Sequence, residues 1–265
     1  MTSVCILGAA GRMGQNLIRA AQAFDDITVA AAIERADHPA MGQDAGQLAG
    51  IGQLGVAVSN NDAAARADAV IDFTFHAAVP ANIARAVAAK QAYVLGTTGL
   101  STEERQAVTD AARLIPIVWA PNMSLGVNIL LDLVRRPAAS LDTAYDIEIV
   151  EMHHRLKKDA PSGTALGLAE AAAKGRDVAL DRVAVYGRQG LVGERPVGEI
   201  AIHALRGGDV VGDHTVIFAA DGERVELTHK ASNREAFAKG ALVAARWLQG
   251  RAPGIYTMRD VLGLE

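Results

Sequence analysis

The chain has 265 residues, half of them apolar, a formal net charge of -4 and a single cysteine. That length suffices for one large core or two modest ones, the mildly acidic balance excludes a general attraction to nucleic acid or anionic membrane, and one cysteine excludes an intramolecular disulfide. No apolar run reaches the roughly 18 to 20 residues that span a bilayer and no signal-type leader opens the chain, so a soluble, cytoplasmic protein is expected.

Val4 to Leu7 reads as a short apolar strand, with Cys5 as a buried thiol within it. A glycine-rich turn follows from Gly8 to Gly14, then a helix from Gln15 to Phe24 with Leu17, Ile18 and Ala21 on one face, and a second strand from Ile27 to Ile33. Further strands are expected at Ala69 to Phe73, Ala92 to Leu95 and Ile117 to Trp119, separated by helices near Ala81 to Lys90 and Thr102 to Ile115. Strands alternating with helices predict a doubly wound parallel sheet, which scarce aromatics and abundant Ala and Gly also favour.

After Pro121 the rhythm changes. Leu125 to Val134 reads as a helix, Asp146 to Met152 as a strand and Thr164 to Lys174 as a helix. Strands follow at Ile200 to Leu205, His214 to Ala219 and Arg224 to His229, the last two joined by Asp221-Gly222, a hairpin signal. A final helix, Arg234 to Leu248, carries Phe237, Ala241, Ala244 and Leu248 at helical spacing and is expected to return to the first domain. The predicted architecture is thus α/β: a Rossmann-like domain over 1–123, completed by 235–265, and an α+β domain over 124–234 with a mixed, largely antiparallel sheet.

A dinucleotide pyrophosphate requires a turn free of obstructing β-carbons and a helix N-terminus facing the phosphates. Gly8, Gly11 and Gly14 are spaced for that, although Ala10 stands where the strict G-x-G-x-x-G pattern has its second glycine. Glu34, at the end of the next strand, is placed to meet a ribose hydroxyl, while its neighbour Arg35, with Arg12 assisting, can hold a 2′-phosphate; acceptance of both nicotinamide dinucleotides is expected. Gly96-Thr97-Thr98-Gly99 and Ala120-Pro121-Asn122-Met123 each follow a strand and should emerge at the same sheet edge. His76 reads as a hydrogen-bonded loop residue.

The second chemical signal is Glu151 to Thr164, EMHHRLKKDAPSGT. His153 and His154 follow a strand, Lys157 and Lys158 add ammonium groups, and Pro161-Ser162-Gly163-Thr164 looks like a helix start whose N–H groups can hold a carboxylate. Acid–base or anion-binding work fits this set. No CxxC, HExxH or third ligand accompanies the histidine pair, so no metal is expected.

These segments, with D-F-T at Asp72 to Thr74, R-G-G-D-V-V-G-D-H-T from Arg206 to Thr215 and H-K-A-S-N-R from His229 to Arg234, resemble the 4-hydroxy-tetrahydrodipicolinate reductase (dihydrodipicolinate reductase) family over nearly the full length. The resemblance implies reduction of that dicarboxylate heterocycle to tetrahydrodipicolinate with NADH or NADPH, in lysine and diaminopimelate synthesis, by a homotetramer. By position it implies His153 as acid/base group, Lys157 as proton donor, and His154, Gly163 and Thr164 as substrate binders. Gly8, Ala9, Ala10, Gly11, Arg12, Met13, Glu34, Arg35, Gly96, Thr97, Thr98, Ala120, Pro121, Asn122 and Met123 would contact the dinucleotide. Since cofactor and substrate would lie on different domains, closure is expected about hinges near Asn122 to Gly126 and Ser232 to Arg234. Alternative readings are another Rossmann oxidoreductase, of homoserine or semialdehyde dehydrogenase type, which lacks the H-H-R-x-K string, and a nonenzymatic NAD(P)H sensor.

Overall fold

Glycine, alanine and short apolar strands set the first half of the architecture. In the computed structural model, which describes residues 1–60 and 66–264, strands and helices alternate as β1 (Thr2–Leu7), α1 (Arg12–Ala21), β2 (Ile27–Ile33), α2 (Ala45–Ala49), β3 (Val58–Ser59), β4 (Ala69–Asp72), α3 (Val79–Ala88), β5 (Ala92–Leu95), α4 (Thr102–Ala111) and β6 (Pro116–Trp119). There follow α5 (Leu125–Ser140), β7 (Asp146–His153), α6 (Gly163–Gly175), α7 (Leu180–Val183), β8 (Ala184–Tyr186), β9 (Ile200–Arg206), β10 (Gly212–Ala220), β11 (Glu223–Ala231), α8 (Glu235–Trp247), β12 (Gly254–Tyr256) and α9 (Met258–Leu262). The chain divides into two units, Met1–Leu125 with Arg234–Glu265, and Gly126–Asn233.

The first unit holds a sheet of order β12-β6-β5-β4-β1-β2-β3 in which every pairing is parallel. Each face carries its own apolar layer. Ile6, Ile71 and Val94 pack with Leu17 and Ile18 of α1 and Ala241 and Leu242 of α8, whereas Cys5, Val70 and Tyr93 pack with Ile83 of α3 and Val108 of α4. Because a strand's side chains alternate, burying both faces demands near-continuous apolar strands, which these are. Burial, with Asp72 nearby, pushes the Cys5 thiol up to about 12, so it stays a neutral core residue.

The second unit has a sheet of order β11-β10-β7-β9-β8. The sheet is mixed as expected, but its pairings divide evenly: β10 runs antiparallel to β11 and β7, while β9 runs parallel to β7 and β8. The parallel pairs arise because α6 and α7 cross over between β7 and β8, and the segment 187–199 crosses back between β8 and β9. One face, with Ile147, Ile149, Ile202, Val216 and Phe218, packs against Leu130 and Val134 of α5 and Leu168 and Ala172 of α6. The Asp221-Gly222 hairpin is present, closing the pair Ala220 and Glu223 with Gly222 at φ +87.

Some boundaries differ from the sequence reading. Helix α1 begins three residues earlier than its apolar stripe suggests, since the Gly11 backbone itself caps it, and α5 runs on through Pro137 to Ser140. The elements missed, among them α2, β3, α7, β8, β12 and α9, are five residues or fewer.

Helix α8 packs so closely that a β-carbon at Gly240 would lie 1.7 Å from the Met123 carbonyl oxygen. Backbone cannot yield as a side chain does, so Gly240→Ala should destabilise by about 1–3 kcal/mol and lower Tm by several degrees in a thermal melt. An unchanged Tm would show that the helix does not depend on this approach.

Candidate functional site

On the first unit, the predicted cofactor residues gather at the carboxyl edge of the parallel sheet. Gly8 sits at φ +67 directly after β1, and a β-carbon at Gly14 would come within 2.3 Å of the Gly8 carbonyl, so the turn and α1 pack as only glycine permits. Among the described residues no side chain caps α1, and no acid lies in its first turn, which leaves its positive end for an anion; Arg12 is exposed there and Met13 packs partly into the core. The Glu34 carboxylate accepts from Ala10 N at 3.3 Å and from Arg35 N at 3.0 Å, tying the end of β2 to the glycine turn. The Arg35 side chain stays exposed, with Asp37 at 3.8 Å as an ion-pair partner.

Gly8, Gly11, Glu34 and Arg35 line a cleft of about 800 Å³, together with Phe73, Thr74 and Phe75 after β4. A separate hollow of about 390 Å³ follows β5 and β6 and is lined by Thr97, Thr98 and Pro121. Ala9, Ala120 and Met123 are buried, at 0%, 4% and 1% exposure. The Asn122 carboxamide oxygen accepts from Ser124 N at 2.9 Å, which shapes the loop after β6. Gly96 lies against Phe73, whose ring a β-carbon there would strike at 2.2 Å.

Beneath these loops lies Asp72, a buried carboxylate not chosen from the sequence. It accepts from Thr74 N and Thr74 Oγ1 at 2.7 Å each, from Asn82 Nδ2 at 3.0 Å and from Tyr93 Oη at 2.5 Å. Burial and the Asp72 charge hold the Tyr93 phenol well above its ordinary range, so it serves as a fixed donor. His76, at a 3-10 turn, is a hydrogen-bonded loop histidine with Nδ1 2.9 Å from both Glu104 oxygens.

On the second unit the histidine and lysine residues cluster along the connection from β7 to α6. Strand β7 buries alternate residues, and Glu151 and His153 continue the phase of Ile147 and Ile149. Glu151 is 0% exposed, a position that a carboxylate tolerates only when its oxygens are filled. They are. Arg206 of β9 donates to both oxygens, Nη1 at 2.8 Å and Nη2 at 3.0 Å; His153 Nδ1 lies at 2.7 Å, and Ser162 N donates at 2.9 Å. Burial opposes ionisation, but the bonds from Arg206, His153 and Ser162 outweigh it and hold the carboxyl below its usual range.

A carboxylate only accepts, so His153 carries its proton on Nδ1 and turns Nε2 to other work. Gly212 leaves room beside that nitrogen: a β-carbon there would stand 2.9 Å from His153 Nε2. The His214 ring meets the His153 ring edge-on at 5.1 Å and its Nε2 lies 3.1 Å from Ser162 Oγ, while Ser162 Oγ accepts from Ala165 N and caps α6. Lys157 Nζ donates to both Asp159 oxygens at 2.9 and 2.8 Å. Gly163 is exposed at the start of α6, with open space where a side chain would be, and Thr164 follows it in the first turn. His154 is partly buried, and its Nδ1 has no hydrogen-bond partner among the described residues. Among the described residues no group of three or more His, Cys, Asp or Glu is placed to hold a metal, and no helix is long and apolar enough to cross a membrane.

The sequence reading therefore placed the first unit's loops, the histidine–lysine bend and the helix start at Ser162, and missed the parts played by Glu151, Arg206, His214 and Asp72. For Glu151 a signal existed: a charged residue in the apolar phase of a strand.

A parallel sheet with a glycine turn, a helix start that carries no side-chain cap and an acid closing the second strand defines a Rossmann-type dinucleotide-binding protein. The particular group follows from comparison: models described as "Dihydrodipicolinate reductase, N-terminus" and "Dihydrodipicolinate reductase, C-terminus" match residues 2–123 and 126–262, and the chain belongs to that family. It is 52% identical over 267 residues to the 4-hydroxy-tetrahydrodipicolinate reductase of Anaeromyxobacter dehalogenans strain 2CP-C, covering 100% of this chain and 99% of that one. It is likewise 52% identical over 263 residues to the protein of the same name from Ruegeria pomeroyi, covering 98% of each. In fold it is similar to a dipicolinate-bound dihydrodipicolinate reductase from Paenisporosarcina sp. TG-14, with a TM-score of 0.76, 24% identity and 98% coverage of both chains.

Burial, with His153 beside it, lowers His214 from 6.5 to about 4. Between those values the unfolded chain binds the extra proton and the native one does not, so this stability is complete above pH 6.5 and is lost as pH falls toward 4. The loss amounts to about 3 kcal/mol at most. Urea unfolding should therefore weaken from about pH 7 to about pH 4.5 in the wild type, and less so in His214→Asn. Equal losses in the two would contradict a neutral buried His214.

Proposed function

We propose that this chain reduces 4-hydroxy-tetrahydrodipicolinate, by way of dihydrodipicolinate, to tetrahydrodipicolinate with NADH or NADPH, a step of lysine and diaminopimelate synthesis. The observation that carries this reading is the Glu151–His153 pair, set beside Lys157 and the start of α6, in a chain whose other unit bears the dinucleotide cleft. The alternative dehydrogenase reading has no use for that bend, and a sensor would need no oriented acid–base group.

The turn at Gly8, Ala9, Ala10 and Gly11 with Arg12 and Met13 would hold the pyrophosphate, Glu34 and Arg35 the adenosine ribose, and Gly96 to Thr98 with Ala120 to Met123 the nicotinamide half. The bound dinucleotide supplies a hydride; the chain's residues supply the rest. His154, Gly163 and Thr164 bind the two carboxylates through the imidazole, the backbone N–H groups and the hydroxyl. Once water has left the 4-hydroxy compound, one hydride and one proton saturate one ring double bond, and Lys157 Nζ delivers that proton while His153, held by Glu151 through Nδ1, exchanges protons at Nε2. Asp159 keeps the Lys157 ammonium beside the site; the hydrogen bond from Lys157 in turn holds the Asp159 carboxyl below its ordinary value. The chemistry requires that the dinucleotide on one unit and the dicarboxylate on the other meet.

The chain carries exposed apolar side chains at Tyr186, Leu191, Val192 and Val197 in its second unit. Such a set on a water-facing segment supports self-association through this unit, which we assign as a homotetramer in the cytoplasm. Sedimentation equilibrium should give four times the chain mass, and a monomer at micromolar concentration would contradict it.

Activity is tested by NAD(P)H absorbance while the unstable substrate is generated in the same cuvette by a synthase from pyruvate and aspartate semialdehyde. Wild-type protein should oxidise the dinucleotide only when both precursors and the synthase are present. Lys157→Ala should lower kcat by about 10²- to 10⁴-fold, the usual worth of a positioned proton donor, with dinucleotide Kd nearly unchanged. A variant with unaltered kcat would remove Lys157 from the chemistry.

A further inference from the structure

Phe75 is 71% exposed, yet it lies in the concave wall of the 800 Å³ cleft rather than on a convex surface. Neither hydride chemistry nor phosphate binding uses a phenyl ring, and the ring adds nothing to the core. Its surroundings are organised all the same. The His76 ring stands behind it at 4.1 Å between centroids, His76 Nδ1 is anchored by both Glu104 oxygens, and Glu104 is itself fixed in the capping box of α4 with Ser101. The Phe75 carbonyl accepts from Ala78 N at 2.9 Å, which pins the backbone beneath the ring.

Strand order fixes what this wall faces. The cleft spans the carboxyl ends of β2, β1 and β4, which are neighbours in the sheet, with Glu34 and Arg35 on the β2 side and Phe73 to Phe75 on the β4 side. The hollow after β5 and β6 lies further along the same edge. An acid at the end of β2 meets a ribose hydroxyl, so the base attached to that ribose occupies the space between Glu34 and the β4 loop. Arg85 closes the rim there.

Resting on the dinucleotide reading of this cleft, we propose that Phe75 is the stacking platform for the adenine ring of the cofactor, held in orientation by His76 and Glu104. The contact reads a flat aromatic base and is indifferent to the 2′-phosphate. Phe75 therefore sets affinity for both dinucleotides equally, while Arg35 discriminates between them. It is a binding residue remote from the hydride.

Calorimetric titration of the full chain with ADP-ribose, NADH, NADPH and reduced nicotinamide mononucleotide tests this. Stacking on an aromatic side chain is worth about 1–3 kcal/mol per base, so Phe75→Ala should raise Kd for ADP-ribose, NADH and NADPH by one common factor of about 5 to 150. It should leave the mononucleotide Kd unchanged. Phe75→Trp should retain wild-type affinity and show added indole quenching when ADP-ribose binds. Unchanged ADP-ribose affinity in Phe75→Ala, or equal losses in the Ala and Trp variants, would overturn the assignment while leaving the dinucleotide cleft intact. Failure of the wild type to bind NADH or ADP-ribose at all would overturn both.

Discussion

A fully buried carboxylate whose every oxygen is engaged organises the second unit. Glu151 brings together Arg206 from β9, His153 from its own strand and the Ser162 N–H at the start of α6, three segments that no local preference would bring together. Removing Arg206 would leave the Glu151 charge uncompensated in a low-dielectric interior, which is far costlier than losing an exposed ion pair. The same group that holds the loop also sets the histidine tautomer, so stability and reactivity rest on one set of bonds. His214 extends the arrangement by joining Ser162, whose hydroxyl in turn caps α6.

The first unit solves a different problem, which is how to present backbone to a charged ligand. Glycines at 8 and 14 let the turn and helix approach at distances that β-carbons forbid. Asp72 then gathers Thr74, Asn82 and Tyr93 under the loop after β4, and Thr97 Oγ1 donates to the Thr74 carbonyl at 3.0 Å, linking that loop to the one after β5. The ligand-facing loops are thus supported from below by buried, fully bonded polar groups.

Much of this was legible in the residues because the signals are local. The apolar run from Val4 to Leu7, the glycine turn and Leu17-Ile18 predict β1, its turn and α1 from neighbouring positions, and EMHHRLKKDAPSGT announces an anion-binding bend within fourteen residues. What stayed hidden depends on register. His153 stands opposite Arg206 and Glu151 opposite His214 only because β7 lies between β9 and β10, and strand order is a tertiary choice made across more than fifty residues. Short elements such as α2 escaped because a single capping residue, Asp44, creates them by accepting from four backbone N–H groups, two of them ten or more residues away.

Nitrogen NMR of histidine-labelled protein, with the His153 signals assigned by its substitution, reads the decisive feature directly. An ionised Glu151 in contact with His153 places the neutral-ring proton on Nδ1 and leaves Nε2 as the bare nitrogen facing the site. A neutral His153 protonated on Nε2, with Nδ1 bare, would contradict the arrangement from which the acid–base assignment follows.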